Sequence, residues 1–253
     1  MGVLDGRTAI VTAAAGAGIG QAVARIFLEE GAQVLITDAH ARRVEEVGKQ
    51  LSEEFGRDVP ALEVDVRNTE QVSAMVDASR ERFGRVDILF NNAGINKLSP
   101  IWEMDDETWQ LVIDVNLTGT FNCVRAVLPV MIEQKSGSIV NMSSGAGWIG
   151  SRDGESHYCA AKAGVMAFTR AVAAEVARQG IRVNAIAPGL IYNEFLARIY
   201  PPDFFERAKR GIPLGRVGEP HDVAKLALFL ASDLSGYITG EAVSISGGAI
   251  MHA

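Results

Sequence analysis

The order of apolar and polar residues predicts an α/β fold: a doubly wound parallel sheet in three layers, α/β/α, formed as a single domain over residues 1–253. Three observations predict it. Short β-branched runs alternate with amphipathic stretches along the whole chain. The first run passes directly into a glycine-rich turn and then a helical pattern. The glycine and polar signatures recur just after strand ends, where parallel sheets gather their ligands. Strands separated by helical stretches need crossovers, and right-handed crossovers place helices on both faces.

The elements follow in order. Thr8–Val11 reads as a strand, and Thr12 to Gly20 as a glycine turn. Gln21–Glu30 is apolar at Ala22, Val23, Ile26 and Phe27 and is closed by Gly31, so it reads as a helix. Such a strand–turn–helix opens a dinucleotide-binding unit, because glycines let backbone N–H groups approach a pyrophosphate at the helix N-terminus. The second strand, from Gln33, ends at Asp38, twenty residues after Gly18. An acidic side chain there takes a ribose 2′-hydroxyl and repels a 2′-phosphate; its alternative role is to cap the following helix. Helical patterns over 40–55 and 69–83 flank a strand over 59–64 that leads into Asp65-Val66. A strand over 86–90 precedes Asn91-Asn92-Ala93-Gly94. Residues 104–134 read as one long helical stretch that Pro129 should kink or end. A strand over 138–142 leads to Ser143-Ser144-Gly145, and a strand over 181–186 to Ala187-Pro188-Gly189. An aromatic-rich segment at about 190–215 reads as a lid, a helix follows from Asp222, and the last strand is 242–245.

Bulk properties narrow the classes. The chain is 48% hydrophobic, enough for one large core, and no linker or repeat divides it. Its net charge is -7 with no basic cluster beyond Arg42-Arg43, which argues against a nucleic-acid partner. The apolar runs look too short and interrupted to span a membrane. The first residues lack a signal-peptide order, and two cysteines without metal-like spacing fit a cytoplasmic setting and no metal site.

The chemistry centres on Tyr158 and Lys162, one turn apart on a predicted helix. A neighbouring ammonium favours phenolate, so Lys162 is expected to lower the phenol's pKa toward neutrality. His157, beside Tyr158, is expected at the surface or the substrate rim. No GxSxG elbow is present to support a serine hydrolase.

Taken together, Gly18-Ile19-Gly20, Asp65-Val66, Asn91-Asn92-Ala93-Gly94, Asn116 in Val115-Asn116-Leu117, Ser143-Ser144, Tyr158-Cys159-Ala160-Ala161-Lys162, Pro188-Gly189, Gly240 and Gly247-Gly248 resemble the short-chain dehydrogenase/reductase family of Rossmann-like enzymes, end to end. The resemblance implies an NAD-dependent oxidoreductase of a secondary alcohol or ketone. Tyr158 would be the acid/base and Lys162 would hold the nicotinamide ribose. Ser144 would bond the substrate oxygen, and Asn116 would hold a water leading from Lys162 to solvent. Gly16, Gly18, Ile19 and Gly20 would cradle the cofactor phosphates. Asp38 would select NAD, Asp65 and Val66 would flank the adenine, and Asn92, Ala93 and Gly94 would line the adenosine side. Pro188, Gly189, Ile191 and Asn193 would meet the carboxamide. A small-molecule substrate and a homotetramer are implied as partners.

Two departures stand out. The glycine turn is one residue longer than the family's usual spacing, with Ala13 where its first Gly falls, so a bulged turn is expected. Asn193 stands where a Thr is usual. Phe195, Tyr192, Phe204, Phe205 and Trp148 suggest a bulky or cyclic substrate. The alternatives are a 3-oxoacyl thioester reductase, a dehydrogenase of steroid-ring remnants, and, from another class, a non-catalytic nucleotide sensor on the same fold.

Overall fold

The computed structural model describes residues 2–16, 18–193 and 203–251. The strands are β1 (Thr8–Val11), β2 (Gln33–Asp38), β3 (Ala61–Glu63), β4 (Ile88–Asn91), β5 (Gly137–Met142), β6 (Ile181–Pro188) and β7 (Ala242–Ile245). They form one sheet in the order β3-β2-β1-β4-β5-β6-β7, with every pairing parallel. The helices are α1 (Ile19–Glu29), α2 (Ala41–Phe55), α3 (Thr69–Phe83), α4 (Asp106–Ile113), α5 (Gly119–Gln134), α6 (Ser156–Val176), α7 (Phe204–Lys209) and α8 (Pro220–Ala231).

Alternation along the strands creates two cores. Successive strand side chains point to opposite faces. Ala9, Val11, Val34, Ile36, Ile88, Phe90, Val140 and Ile186 join α1, α2 and α8 through Val23, Phe27, Leu51 and Leu230. Ile10, Leu35, Leu89, Ile139 and Val183 join α3, α5 and α6 through Met75, Val127, Met131 and Val172. The order of the strands reverses between β1 and β4, which opens a crevice at their carboxyl ends where ligands of such sheets bind. A buried polar ladder crosses the sheet nearby: Asn91 Nδ2 donates to Asn141 Oδ1 (2.9 Å), and Asn141 Nδ2 donates to Thr169 Oγ1 (3.0 Å).

Three sequence expectations are corrected. The stretch read as one helix over 104–134 is α4, a π-helical segment Asp114–Thr118, and α5. Pro129 does not end α5, which continues to Gln134. Asp106–Gln134, 29 residues with mean hydropathy 1.3 in its most apolar window, is long and apolar enough to cross a bilayer by length and composition alone. It packs instead as a core helix, through Cys123, Val124, Val127 and Met131.

Candidate active site

The glycine turn follows β1 and is held from both sides. Thr12 Oγ1 accepts the N–H groups of Asn92 (2.9 Å) and Ala93 (3.2 Å), and Asn92 Nδ2 donates to Ala13 O (3.0 Å). Asn92 therefore ties the turn to β4. Gly20 is required by this close approach: a Cβ there would stand 2.4 Å from Ala13 O. Ala13 adopts a left-handed conformation, with φ 50°. The longer turn is thus accommodated by strain at the position where the family carries glycine. Cβ atoms added at Gly16 or Gly18 would meet nothing within 4 Å among the described residues, and Gly18 caps α1 with no side-chain hydrogen bond. Open space beside uncapped helix N–H groups suits a cofactor's pyrophosphate.

Asp38 ends β2 with its side chain largely buried. It accepts the N–H of Ala15 (3.2 Å) and of His40 (3.1 Å), and Arg43 Nη2 stands 3.8 Å from Oδ1. Burial raises its pKa, against lowering by the Ala15 hydrogen bond and the Arg43 charge. Asp65 lies two residues after β3 with its carboxylate taken by Arg67, whose Nη2 is 2.6 Å from Oδ2; this pairing lowers its pKa. Val66 is buried, and its carbonyl accepts from Asn122 Nδ2 at 3.0 Å.

The reactive side chains come from two consecutive crossovers, β4 to β5 and β5 to β6. Asn116 sits in the π segment, fully buried, with Nδ2 donating to Ile95 O and Val112 O, both at 2.8 Å. Its Oδ1 is buried with no partner among the described residues. Gly94 brings the β4 loop between Asn116 and Lys162: a Cβ there would lie 2.8 Å from Asn116 Oδ1 and 3.3 Å from Lys162 Nζ. Lys162 Nζ donates to Met142 O at 2.8 Å, and its own carbonyl accepts from Ser143 Oγ at 2.8 Å. Nζ stands 5.5 Å from the centre of the Tyr158 ring. The Ser144 hydroxyl is near enough to the Tyr158 phenol to favour its ionised form. Ser144 Oγ also accepts the Ala146 N–H at 3.2 Å.

The electrostatics differ from the sequence expectation. Burial pushes the Tyr158 phenol up to about 12, against a lowering by Ser144, and pushes Lys162 down to about 8. Both shifts follow from removing the charged form from water. The expected lowering of the phenol by Lys162 is not found: the opposing pull comes from Ser144, and burial outweighs it. His157 is also corrected: it is fully buried, not at a rim.

Gly189 N donates to Ile245 O at 3.0 Å, and Ile191 bridges Gly218, so the strand after Pro188 stays anchored as it leaves the sheet. Asn193 lies just beyond, with a partner of its own. Tyr192 and Phe205 rings are 5.2 Å apart, and Phe204 and Phe205 5.3 Å. Phe195 falls outside the described residues.

A family model described as Enoyl-(Acyl carrier protein) reductase matches residues 13–250. The chain belongs to the short-chain dehydrogenase/reductase family. It is 45% identical to (5R,7aS)-5-hydroxy-7a-methyl-1-oxo-2,3,5,6,7,7a-hexahydro-1H-indene-carboxyl-CoA reductase of Mycobacterium tuberculosis, over 97% of this chain and 94% of that one. It is 40% identical to a 3-oxoacyl-(acyl-carrier-protein) reductase of Thermotoga maritima, over 98% and 99%. Among solved structures, a short-chain type dehydrogenase/reductase from Mycobacterium marinum superposes with a TM-score of 0.92 at 35% identity, covering 98% of this chain and 97% of that one. As a member of this family, the protein is an NAD(P)-dependent oxidoreductase acting on CH–OH or carbonyl groups.

Proposed function

We propose that the protein interconverts a bulky or cyclic secondary alcohol and its ketone using NAD(H). The observation that carries this reading is the convergence of Ser144, Tyr158, Lys162 and Asn116 beside an open glycine turn. The bound nicotinamide would supply the hydride acceptor or donor. Ser144 holds the substrate oxygen with a neutral hydroxyl. Tyr158 exchanges the proton at that oxygen. A phenol held near 12 stays protonated at neutral pH, which suits donation to a developing alkoxide in the reducing direction. Lys162 orients the cofactor ribose, and Asn116 Oδ1 offers an acceptor beside Gly94 and Lys162 for a proton path.

Asp38 supports NAD over NADP, since its carboxylate stands at the strand end where a 2′-phosphate would arrive. Arg43 opposes that preference at 3.8 Å. Asp38→Ala should therefore lower the NAD:NADP ratio of kcat/KM by about tenfold or more; an unchanged ratio would make Asp38 a helix cap only. The segment at about 190–215 acts as the substrate lid of a single domain, and its Tyr192, Phe204 and Phe205 cluster favours a bulky ligand. The protein assembles as a homotetramer. Phe121, half-exposed under Arg125 (4.8 Å) and edge-on to Phe168 (6.2 Å), gives α5 and α6 an apolar outer face. A monomer by light scattering would refute this.

A second reading, a cyclic or 3-oxoacyl thioester substrate, is favoured by the thioester reductases among the relatives. The test is turnover of cyclic alcohols, hydroxysteroids and 3-hydroxyacyl thioesters with NAD and NADP in parallel. Turnover of a cyclic alcohol with NAD supports the first reading. Turnover of thioesters alone, with NADP, replaces it by the second. Tyr158→Phe should abolish turnover while NADH still binds; retained turnover would remove Tyr158 from the chemistry.

A further inference from the structure

The imidazole of His157, beside the site, is fully buried, and the proposed chemistry does not use it. It occupies the second position of α6, directly before Tyr158. The first turn of a helix leaves N–H groups without intrahelical acceptors, and a side chain at the N-cap usually takes one. Here the N-cap is Glu155, which makes no capping hydrogen bond. Its carboxylate instead accepts from Asn96 Nδ2, on the loop after β4. Its backbone carbonyl takes the N–H of Cys159 at 2.8 Å. The carbonyl of Gly154, the next acceptor upstream, takes the N–H of Ser99 at 2.9 Å. The N–H of Tyr158 is thereby left to a side chain, and it donates to His157 Nδ1 at 2.9 Å.

This bond has two consequences. An imidazole accepting at Nδ1 carries its proton on Nε2. Nε2 is buried with no partner among the described residues, so the bond to Tyr158 is what orients the ring. In turn, the ring fixes the backbone from which the phenol projects toward Ser144. Because the ring is fully enclosed, it cannot swing away without displacing its surroundings.

We propose that His157 is a positioning residue: its Nδ1 takes the place of a helix cap at the backbone N–H of Tyr158 and so holds the phenol in line with Ser144. The inference rests on the proposed role of Tyr158 and adds a residue to it. It is tested with His157→Leu, which fills the space without an acceptor, and His157→Asn, whose Oδ1 occupies the place of Nδ1 on the same Cγ. The Leu variant should lose kcat on the order of 10- to 100-fold, as expected for a misplaced reacting group, with the Kd for NADH changed less than about twofold. The Asn variant should recover to within about fivefold of the parent. The limb of the pH profile that reports the phenol should move in the Leu variant and stay in place in the Asn variant. Equal losses in both variants, or unchanged kcat in the Leu variant, would overturn the proposal. Should the Leu variant not fold, nitrogen-15 NMR of the histidines in the parent protein decides: the Nε2–H tautomer at His157 supports the proposal, and an Nδ1–H tautomer overturns it. Tyr158→Phe assayed alongside separates the two ideas. If that variant stays active, the reading of Tyr158 fails; if it is inactive while His157→Leu is unimpaired, only the positioning role fails.

Discussion

Replacing Gly94 with alanine tests how the reactive groups are held together. The added methyl carbon would stand 2.8 Å from Asn116 Oδ1 and 3.3 Å from Lys162 Nζ. Neither neighbour is free to yield. Asn116 is clamped through Nδ2 to Ile95 O and Val112 O, and Lys162 Nζ is tied to Met142 O, all at 2.8 Å. Carbon and oxygen relax toward roughly 3.3 Å, so the loop or Asn116 must shift by about half an ångström. Overpacking of this kind costs about 1–3 kcal/mol, which for a chain of this size lowers Tm by roughly 2–10 °C. A displacement of 1 Å costs about 100-fold in rate, so half of that should cost on the order of tenfold in kcat. The assay is steady-state NADH turnover beside thermal unfolding, with Gly150→Ala as the control. A Cβ at Gly150 meets nothing within 4 Å among the described residues, and its substitution should be neutral. If Gly94→Ala matches that control in both kcat and Tm, the close approach of the β4 loop is not what positions Asn116 and Lys162.

Two further outcomes follow from the same site. Lys162 is depressed to about 8, so between about pH 8 and 10.5 the unfolded chain holds more protons than the folded one, and stability rises with pH across that window. Below it the buried ammonium is a cost. Lys162→Met should therefore be inactive yet more stable at pH 7, by roughly 2 kcal/mol after the lost bond to Met142 O is subtracted, with the gain gone at about pH 9.5 and the variant the less stable of the two near pH 10.5; denaturant unfolding at pH 7 and at about pH 10.5 measures it, and a less stable variant at pH 7 refutes it. Ala13→Gly should relieve the left-handed strain at φ 50° and raise stability by about 0.5–1 kcal/mol, after the greater flexibility of the unfolded glycine chain is allowed for; a fall in Tm would show that the strain is absorbed elsewhere.

Much of the fold was legible because its signals are local. Strand alternation, the glycine turn and the polar residues at strand ends each need only a few consecutive positions. The N–H groups of Glu70 and Gln71 donate to Asn68 Oδ1, which caps the helix, so α3 starts where its sequence says. The missed features depend on what is far away in sequence. The spacing of Tyr158 and Lys162 told which groups are neighbours, but the direction of their pKa shifts depends on how much water the other crossovers exclude. His157 looked peripheral because it points away from Tyr158 on a helical wheel; nothing in that wheel says that the other side of the helix is also covered. Arg43 and Arg67 reach Asp38 and Asp65 from the starts of the next elements, and no pattern of apolar residues records such a reach. The π segment was invisible for a related reason: Asp114–Thr118 keeps an ordinary helical composition, and only its carbonyl partners differ.

That segment has a consequence for how the long helix divides its labour. A π turn is in effect one extra residue spliced into an α-helix, and one residue is about 100° of rotation. α4 and α5 therefore run on as one rod but are out of phase with each other. The first half addresses α6 and the second mainly α3, as two gears cut at different angles on one shaft. Asn116 stands at the joint, where the broken ladder leaves the Val112 carbonyl for its side chain to take up. Deleting a single residue there would bring the two halves back into phase, and it would disengage one of the two neighbours in the same stroke that dissolved the asparagine's seat.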